Sequence, residues 1–251
     1  MSKPELLNKV SIGSWITLGH PAVAEIMAEA GFDWLAVDLE HSTITIREAE
    51  DLIRVIELKG VTPFVRLSSN NAEQIKRVMD AGAHGVIVPM VNSKTEAETA
   101  VSSVKYPPIG TRSFGLARAQ KYGVDFDKYV EWQRNNTIVV VQIEHIDAVN
   151  DLAAILSVEG VDAYIVGPYD LTGSLGIPGQ FDHPEFLSAM DRIREVGNDL
   201  GVAGGLHVVE PDPRELEACI RAGNRFVAYS LDIRILDVSC RTGLRHVIEL
   251  R

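Results

Sequence analysis

The sequence predicts an α/β fold, a single (β/α)8 TIM barrel spanning residues 1–251, on three observations. Eight short apolar runs alternate with longer amphipathic stretches along the whole chain. Eight strands, each followed by a helix, close a barrel more directly than they form an open doubly wound sheet. Several of the runs, IVVVQIEH and GVIVPMV among them, are nearly continuous aliphatic stretches. That is the pattern of parallel strands buried on both faces. No Gly/Ser-rich or low-complexity tract marks a boundary, and 251 residues suit one complete barrel.

The first strand is expected over Ser11–Thr17, after which Pro21 opens AVAEIMAEAG and Gly31 closes it, the Pro-first and Gly-last asymmetry of helices. The second strand is Trp34–His41 and the third Thr62–Ser68. Asn71 then caps a helix that closes at Ala81-Gly82. The fourth strand, Gly85–Val91, breaks the regular spacing, because an extended connection runs from Val91 to the fifth strand at Ile138–His145. It holds one helix, then KYPPIGTRSFGLARAQKYG, then a second helix. Long insertions after a barrel strand tend to cover the active face, so this one is read as a lid or wall of the site. Asp147 starts AVNDLAAILSVEG, and the sixth strand is Ala163–Leu171. Asp182–Pro184 leads into a longer helix before the seventh strand, Val202–Val209. Pro211–Pro213 leads into RELEACIRAG, the eighth strand is Arg225–Asp232, and a last helix runs from about Ile233 to the C-terminus. AEAGFDWLAV, MDAGAHGVIV and IRAGNRFVAY share one form: helix end, Ala-Gly, turn, strand. Glycine serves there as the helix C-cap, which is the αβ loop of a barrel and not a solenoid repeat.

Composition narrows the function. With 24 Lys+Arg against 35 Asp+Glu the net charge is −11. Such a surface repels phosphate backbones and anionic lipid, so no nucleic acid and no membrane partner is expected. Small anionic substrates stay possible, since one placed arginine or metal overrides a distant net charge. Cys219 and Cys240 are too few for a disulfide framework or a four-thiolate zinc site. MSKPELLNKV lacks the apolar run of a signal peptide, and no stretch approaches the roughly 20 apolar residues of a membrane span. A cytoplasmic setting is the expectation.

In a barrel the functional side chains come from the C-terminal ends of the strands. Four apolar strands here end in polar clusters: Asp38-Leu-Glu40-His41, Val65-Arg66-Leu67-Ser68, Gln142-Ile-Glu144-His145 and Gly167-Pro168-Tyr169-Asp170. Glu144 and Asp170 fall on neighbouring strands at one rim, a natural pair of oxygen ligands for Mg2+ or Mn2+. Each alone can be a surface carboxylate, and Asp170 can be a helix N-cap, but for the pair metal binding is the better reading. Arg66 needs an anionic partner, either a rim carboxylate such as Asp38 or Glu40 or a substrate carboxylate or enolate, and the other polar clusters put the substrate ahead. His41 can be a general base or a metal ligand, and a neighbouring carboxylate that raises its basicity favours the base. His20 and His207 can also reach the rim. No lysine follows Lys128 and the earlier ones fall on helices or loops, which disfavours a Schiff-base mechanism. There is no phosphate-loop or GxGxxG motif, and Gly204-Gly205 is only a weak phosphate cradle.

Taken together, GFDWLAVDLEHS, VRLSSNNAEQIKRVMDAGAHGVIVPMV, KYPPIGTRSFG, VQIE and GPYDLTGSLG resemble the HpcH/HpaI aldolase family, over roughly Ser11 to Asp232. The resemblance implies a class II, metal-dependent pyruvate aldolase that reversibly cleaves a 4-hydroxy-2-oxo acid to pyruvate and an aldehyde, through a pyruvate enolate stabilised by a divalent ion (Mg2+, Mn2+ or Co2+). It implies His41 as proton acceptor and Arg66 as stabiliser of the enolate. Asp80 becomes the acidic residue that raises the histidine's basicity, supplied within a homo-oligomer, a hexamer built as a trimer of dimers. Glu144 and Asp170 become the metal ligands, and Gln142 and the Tyr169–Asp170 backbone the substrate-binding positions. From its own sequence context Asp80 reads as an ordinary exposed helix residue. Tyr169 stands where the best-known members carry a small alanine, and Leu39 replaces a small residue beside the base. The rival readings are related enolate chemistry, such as oxaloacetate decarboxylation or cleavage of a citramalyl- or citryl-CoA-type thioester, and a non-catalytic metal- and pyruvate-binding barrel. The Pro107–Gly123 loop, together with a neighbouring chain, is expected to set the choice of aldehyde.

Overall fold

The computed structural model describes residues 2–248. Eight parallel strands close into a barrel in sequence order. They are β1 Ser11–Ile16, β2 Trp34–Asp38, β3 Thr62–Arg66, β4 Gly85–Val88, β5 Ile138–Ile143, β6 Ala163–Val166, β7 Ala203–Val208 and β8 Phe226–Leu231. The helices of the first half are α1 Lys3–Asn8, α2 Pro21–Glu29, α3 Ile46–Leu58, α4 Ala72–Asp80, α5 Lys94–Val104 and α6 Phe126–Asn136. Those of the second half are α7 Ile146–Asn150, α8 Leu152–Leu156, α9 Pro168–Ser174, α10 Pro184–Leu200, α11 Pro213–Arg221 and α12 Asp232–Ile248. The last helix was expected to reach the C-terminus; residues 249–251 lie outside the described residues. No helix among the described residues is long and apolar enough to cross a membrane.

Successive side chains on a strand point to opposite faces, so each barrel strand feeds two cores. Leu35, Val37, Val65, Val86, Val139 and Val141 face outward into the layer between sheet and helices. Trp34, Ala36, Phe64, Ile87, Val140 and Phe226 face inward and fill the barrel. The filling alternates large with small. Trp34 stacks on Phe226 at 4.4 Å between centroids, with Phe64 edge-on to both. A Cβ on Gly13 would stand 1.9 Å from the Trp34 indole, so only glycine fits opposite that ring. Ser11 Oγ donates to the Leu6 carbonyl at 2.9 Å, tying α1 to the first strand, while Leu6 packs with the aromatic layer. Asp232 latches the seam between first and last strands by accepting from the amides of Thr17 and Leu18, both at 2.8 Å.

Every expected strand is present, and all eight stop short of the ends expected from sequence. Trp34–His41 stops at Asp38, and Ile138–His145 stops at Ile143. Ala163–Leu171 stops at Val166, because Gly167 is an N-cap and Pro168 opens α9 with its fixed φ. The double glycine is part of β7 and packs there: a Cβ on Gly205 would meet the Phe226 carbonyl at 1.6 Å, and one on Gly204 the Tyr164 hydroxyl at 2.3 Å.

The extended connection is a second correction, since it does not cover the rim. Arg112 donates to Asp80 at 2.5 Å, and Arg118 donates to the Ala81 carbonyl at 3.0 Å and to Glu57. Asp80 and Ala81 end α4 and Glu57 lies in the last turn of α3. These helix ends lie where the following strands begin, at the N-terminal face of the barrel. The reason is directional. After β4 reaches the rim, α5 carries the chain back down, so the irregular segment starts at the far end.

Candidate active site

The rim is built by continuing the same alternation. On β2 the inward residues are Trp34, Ala36 and then Asp38; on β3, Thr62, Phe64 and Arg66; on β5, Ile138, Val140 and Gln142. On β7, His207 follows Ala203 and Gly205. The aromatic filling thus forms a floor, and the next inward layer is polar. Asp38, His41, Arg66, Gln142, Tyr169, Asp170 and His207 line one cavity of about 260 Å3, with Trp15 at its side.

Arg66 is 8% exposed and held on three sides. It forms a two-pronged pair with Asp38, Nε to Oδ1 at 2.9 Å and an η-nitrogen to Oδ2 at 2.6 Å. Glu40 lies 3.4 Å from Nε, and the guanidinium sits 4.4 Å above the Trp15 ring. A fork of this kind fixes the plane of the guanidinium and leaves its remaining donors toward the cavity. Burial pushes the Asp38 carboxyl upward, but the Arg66 guanidinium and the backbone amides of Glu40 and His41 outweigh it and hold the group below its ordinary range. For Arg66 the sequence favours a substrate anion over a rim carboxylate; the structure gives it Asp38 and also points it into the cavity.

Glu144 stands just past the end of β5, 2% exposed. One oxygen accepts from the Met90 amide at 2.7 Å and the other from the Gln142 amide nitrogen. It is not on the cavity wall but directly behind the Gln142 amide and Gly167. A Cβ on Gly167 would lie 2.9 Å from Glu144 Oε2, so any other residue there would push the carboxylate aside. Burial, with Glu40 and Asp170 nearby, pushes the Glu144 carboxyl up to about 7. Burial, with Asp38 and Asp170 nearby, does the same to Glu40 in spite of Arg66. Glu40 Oε2 and Gln142 Oε1 are buried without a hydrogen-bond partner. Asp170, in the first turn of α9, is exposed and lines the cavity, and the cap of that helix is Gly167, so capping is not its role. Met90 and Ser230, both non-glycine residues at the rim, hold positive φ angles of 51° and 52°. Such strain persists only where surrounding structure imposes it and concentrates at functional sites.

The donor set suits a hard divalent cation. Asp170 adds to the upward push on both Glu40 and Glu144, Glu40 adds to that on Glu144, and two acceptor oxygens, of Glu40 and Gln142, lack partners. A cation relieves both conditions. Among the described residues no three His, Cys, Asp or Glu side chains converge tightly enough to form a closed metal site. Two protein carboxylates with open positions for water and substrate is the usual Mg2+ arrangement.

His41 has a side chain 64% exposed, with Nε2 3.8 Å from Glu40 Oε2. His20, His145 and His183 are N-caps, their Nδ1 atoms accepting from Ala22, Asp147 and Glu185 amides. His207 is the other histidine of the cavity, edge-on to Trp15 at 5.5 Å, with Nε2 buried and unpartnered. Burial first, and Arg66 second, depress it to about 3, so it is a neutral imidazole. The sequence reading named Asp38 and Glu40 only as partners of Arg66 and ranked His207 below His41. Period-two counting from the apolar strand residues would have placed Asp38, Arg66, Gln142 and His207 in one layer.

The profile of the HpcH/HpaI aldolase/citrate lyase family matches residues 11–237. The chain belongs to this family. A hydroxypyruvate/pyruvate aldolase of Sagittula stellata is 39% identical over 227 residues, covering 90% of this chain and 88% of that protein. A 2-keto-3-deoxy-L-rhamnonate aldolase of Klebsiella pneumoniae is 36% identical over 233 residues, covering 90% and 85%. The crystal structure of an HpcH/HpaI aldolase from Desulfitobacterium hafniense superposes with a TM-score of 0.91 at 32% identity, covering 97% of this chain and 94% of that one. Of the site positions that the HpcH/HpaI resemblance implies, His41, Arg66, Gln142, Tyr169 and Asp170 line one cavity in this chain, and Glu144 stands behind its wall. Asp80 does neither: it lies at the opposite end of the barrel, paired with Arg112.

Proposed function

We propose that this protein is a divalent-cation-dependent aldolase that reversibly cleaves a 4-hydroxy-2-oxo acid to pyruvate and an aldehyde. The observation that carries the reading is the crowding of Glu40, Glu144 and Asp170 beside an arginine already locked by Asp38, at the mouth of a barrel of this family. Relatives that share most of their length with it are named as aldolases of pyruvate and of 2-keto-3-deoxy acids.

Glu144 and Asp170 would hold the cation, Mg2+, Mn2+ or Co2+, with Gln142 turning its amide from Glu144 to the substrate. When bound, the ion supplies Lewis acidity at the 2-oxo group. The chain's own groups do the rest. Arg66 and Gln142 orient the oxo acid by its carboxylate, and the Asp38 fork keeps Arg66 from swinging away. His41 takes the C4 hydroxyl proton. The C3–C4 electron pair then moves to C3, the C4–O bond becomes the aldehyde carbonyl, and Arg66 holds the negative charge of the enolate. Protonation at C3 gives pyruvate. Asp80 supports His41 from a neighbouring copy, since within one chain it lies at the far face, and this makes a homo-oligomer the working form.

Exhaustive chelation is expected to abolish pyruvate release from a 4-hydroxy-2-oxo acid, and Mn2+, Mg2+ or Co2+ to restore it. Full activity in metal-free protein overturns the reading. Parallel assays with oxaloacetate and an acyl-CoA substrate report whether the same enolate serves another reaction.

A further inference from the structure

Beside the cavity just described lies a second, larger one of about 450 Å3. Its walls are apolar, with Phe181, Phe186 and Met190 on one side and Leu206, Ala218 and Cys219 on the other. The two cavities share Pro168, Tyr169, His207 and Val209, so they are separated by a partition one residue thick. The Tyr169 ring leans into the groove, edge-on to Phe181 at 5.0 Å, while Pro168 and Asp170 on either side of it face the polar cavity. His207, neutral and with a free Nε2, completes the partition. The polar cavity alone falls below the roughly 300–1,000 Å3 usual for small-molecule sites, and with the groove the space lies within that range.

Charge decides which molecules the groove suits. Its outer edge carries Glu210 and Glu215. Arg234 neutralises Glu210 through a two-pronged pair, the shorter contact 2.7 Å, and Glu215 has no ion pair among the described residues. Among the described residues no cation lines the groove itself. A carboxylate or phosphate tail entering it would lose its hydration and meet negative charge. An uncharged hydrocarbon or aryl tail would bury apolar surface against aromatic and aliphatic walls.

We infer that this groove is the tail subsite for the aldehyde half of the reaction, and that the protein favours aldehydes with uncharged, apolar substituents over anionic ones. This rests on the aldolase reading of the adjoining cavity. The carbonyl end sits with His41 and Asp170, and the tail passes Tyr169 to lie between Phe186 and Ala218.

The test is the rate of aldol addition of pyruvate to ethanal, butanal, hexanal and 4-oxobutanoate by the metal-loaded protein. Each buried methylene contributes about 0.8 kcal/mol, which is about fourfold in kcat/KM. A rise of that order per methylene from ethanal to hexanal is expected, with 4-oxobutanoate below butanal. Ala218→Phe, an exposed-helix change that fills the groove, is expected to remove the advantage of hexanal and leave ethanal unchanged. A flat chain-length series, preference for 4-oxobutanoate, or equal losses on both aldehydes in Ala218→Phe overturns the inference while leaving the aldolase intact. No addition to any aldehyde overturns the aldolase reading itself. The wild-type series stands whether or not the variant folds.

Discussion

The two ends of the barrel bury charge in opposite ways. At the N-terminal end nearly every buried charge is answered. The Lys105 ammonium donates to Thr137 Oγ1 at 2.6 Å and to three backbone carbonyls. Arg112 meets Asp80, the Tyr129 hydroxyl and the Tyr106 ring, and leaves only its Nε unbonded. At the C-terminal end carboxylates face one another, Glu40 and Glu144 are pushed up to about 7, and acceptor atoms of Glu40, Gln142 and His207 go unpartnered. Answered charges hold the connection in place. Unanswered ones cost stability and are retained where a ligand completes them.

The largest test of this contrast is Arg66, which with Asp38 forms the answered pair of the rim. Arg66→Ala is expected to lower kcat by about 100-fold or more and to cost about 3–5 kcal/mol of stability, because Asp38 is left charged and buried. Steady-state kinetics and urea unfolding read the two effects. A change in KM alone removes Arg66 from the charge-stabilising role.

Asp80 can break the contrast, since it belongs to the quiet end by position and to the active end by resemblance. Asp80→Asn is expected to lower kcat about tenfold in the assembled protein, along with roughly 1–2 kcal/mol of stability from the weakened Arg112 contact. If only stability moves, the N-terminal face is scaffold throughout. The smallest effect lies at Glu57. The His84 contact, ahead of Arg118, holds its carboxyl down at about 2, below the unfolded value, so its contribution is complete above about pH 4.5 and disappears as pH falls toward 2. Glu57 is 41% exposed, so Glu57→Gln should cost no more than about 1 kcal/mol at pH 6. The Tm difference from wild type is expected to shrink steadily between pH 4.5 and 2.5, with activity at neutral pH unchanged.

The fold was legible because it is written in local signals: Pro21, Pro184 and Pro213 open helices, and aliphatic runs alternate with them. The strand ends were not, because polar residues at the rim extend the β-like pattern into loops, and the prolines that do follow β4 and β6, Pro89 and Pro168, lie inside the expected strands. Arg66, Gln142 and Asp170 could be placed at the rim because each polar group follows an apolar strand, and all three line the cavity. The fork between Asp38 and Arg66 was left open, since it depends on the register that sets β2 beside β3. Asp80 was invisible from its helix, and the connection was assigned to the wrong face because its length was counted without the direction of α5.

The stacked Trp34 and Phe226, with Phe64 against both, close the barrel below Arg66 and Gln142. A molecule bound above them has a closed floor beneath it and can leave only away from that floor. On the proposed cleavage the two fragments would leave in order of depth, the aldehyde first and the oxo acid on the floor only after it.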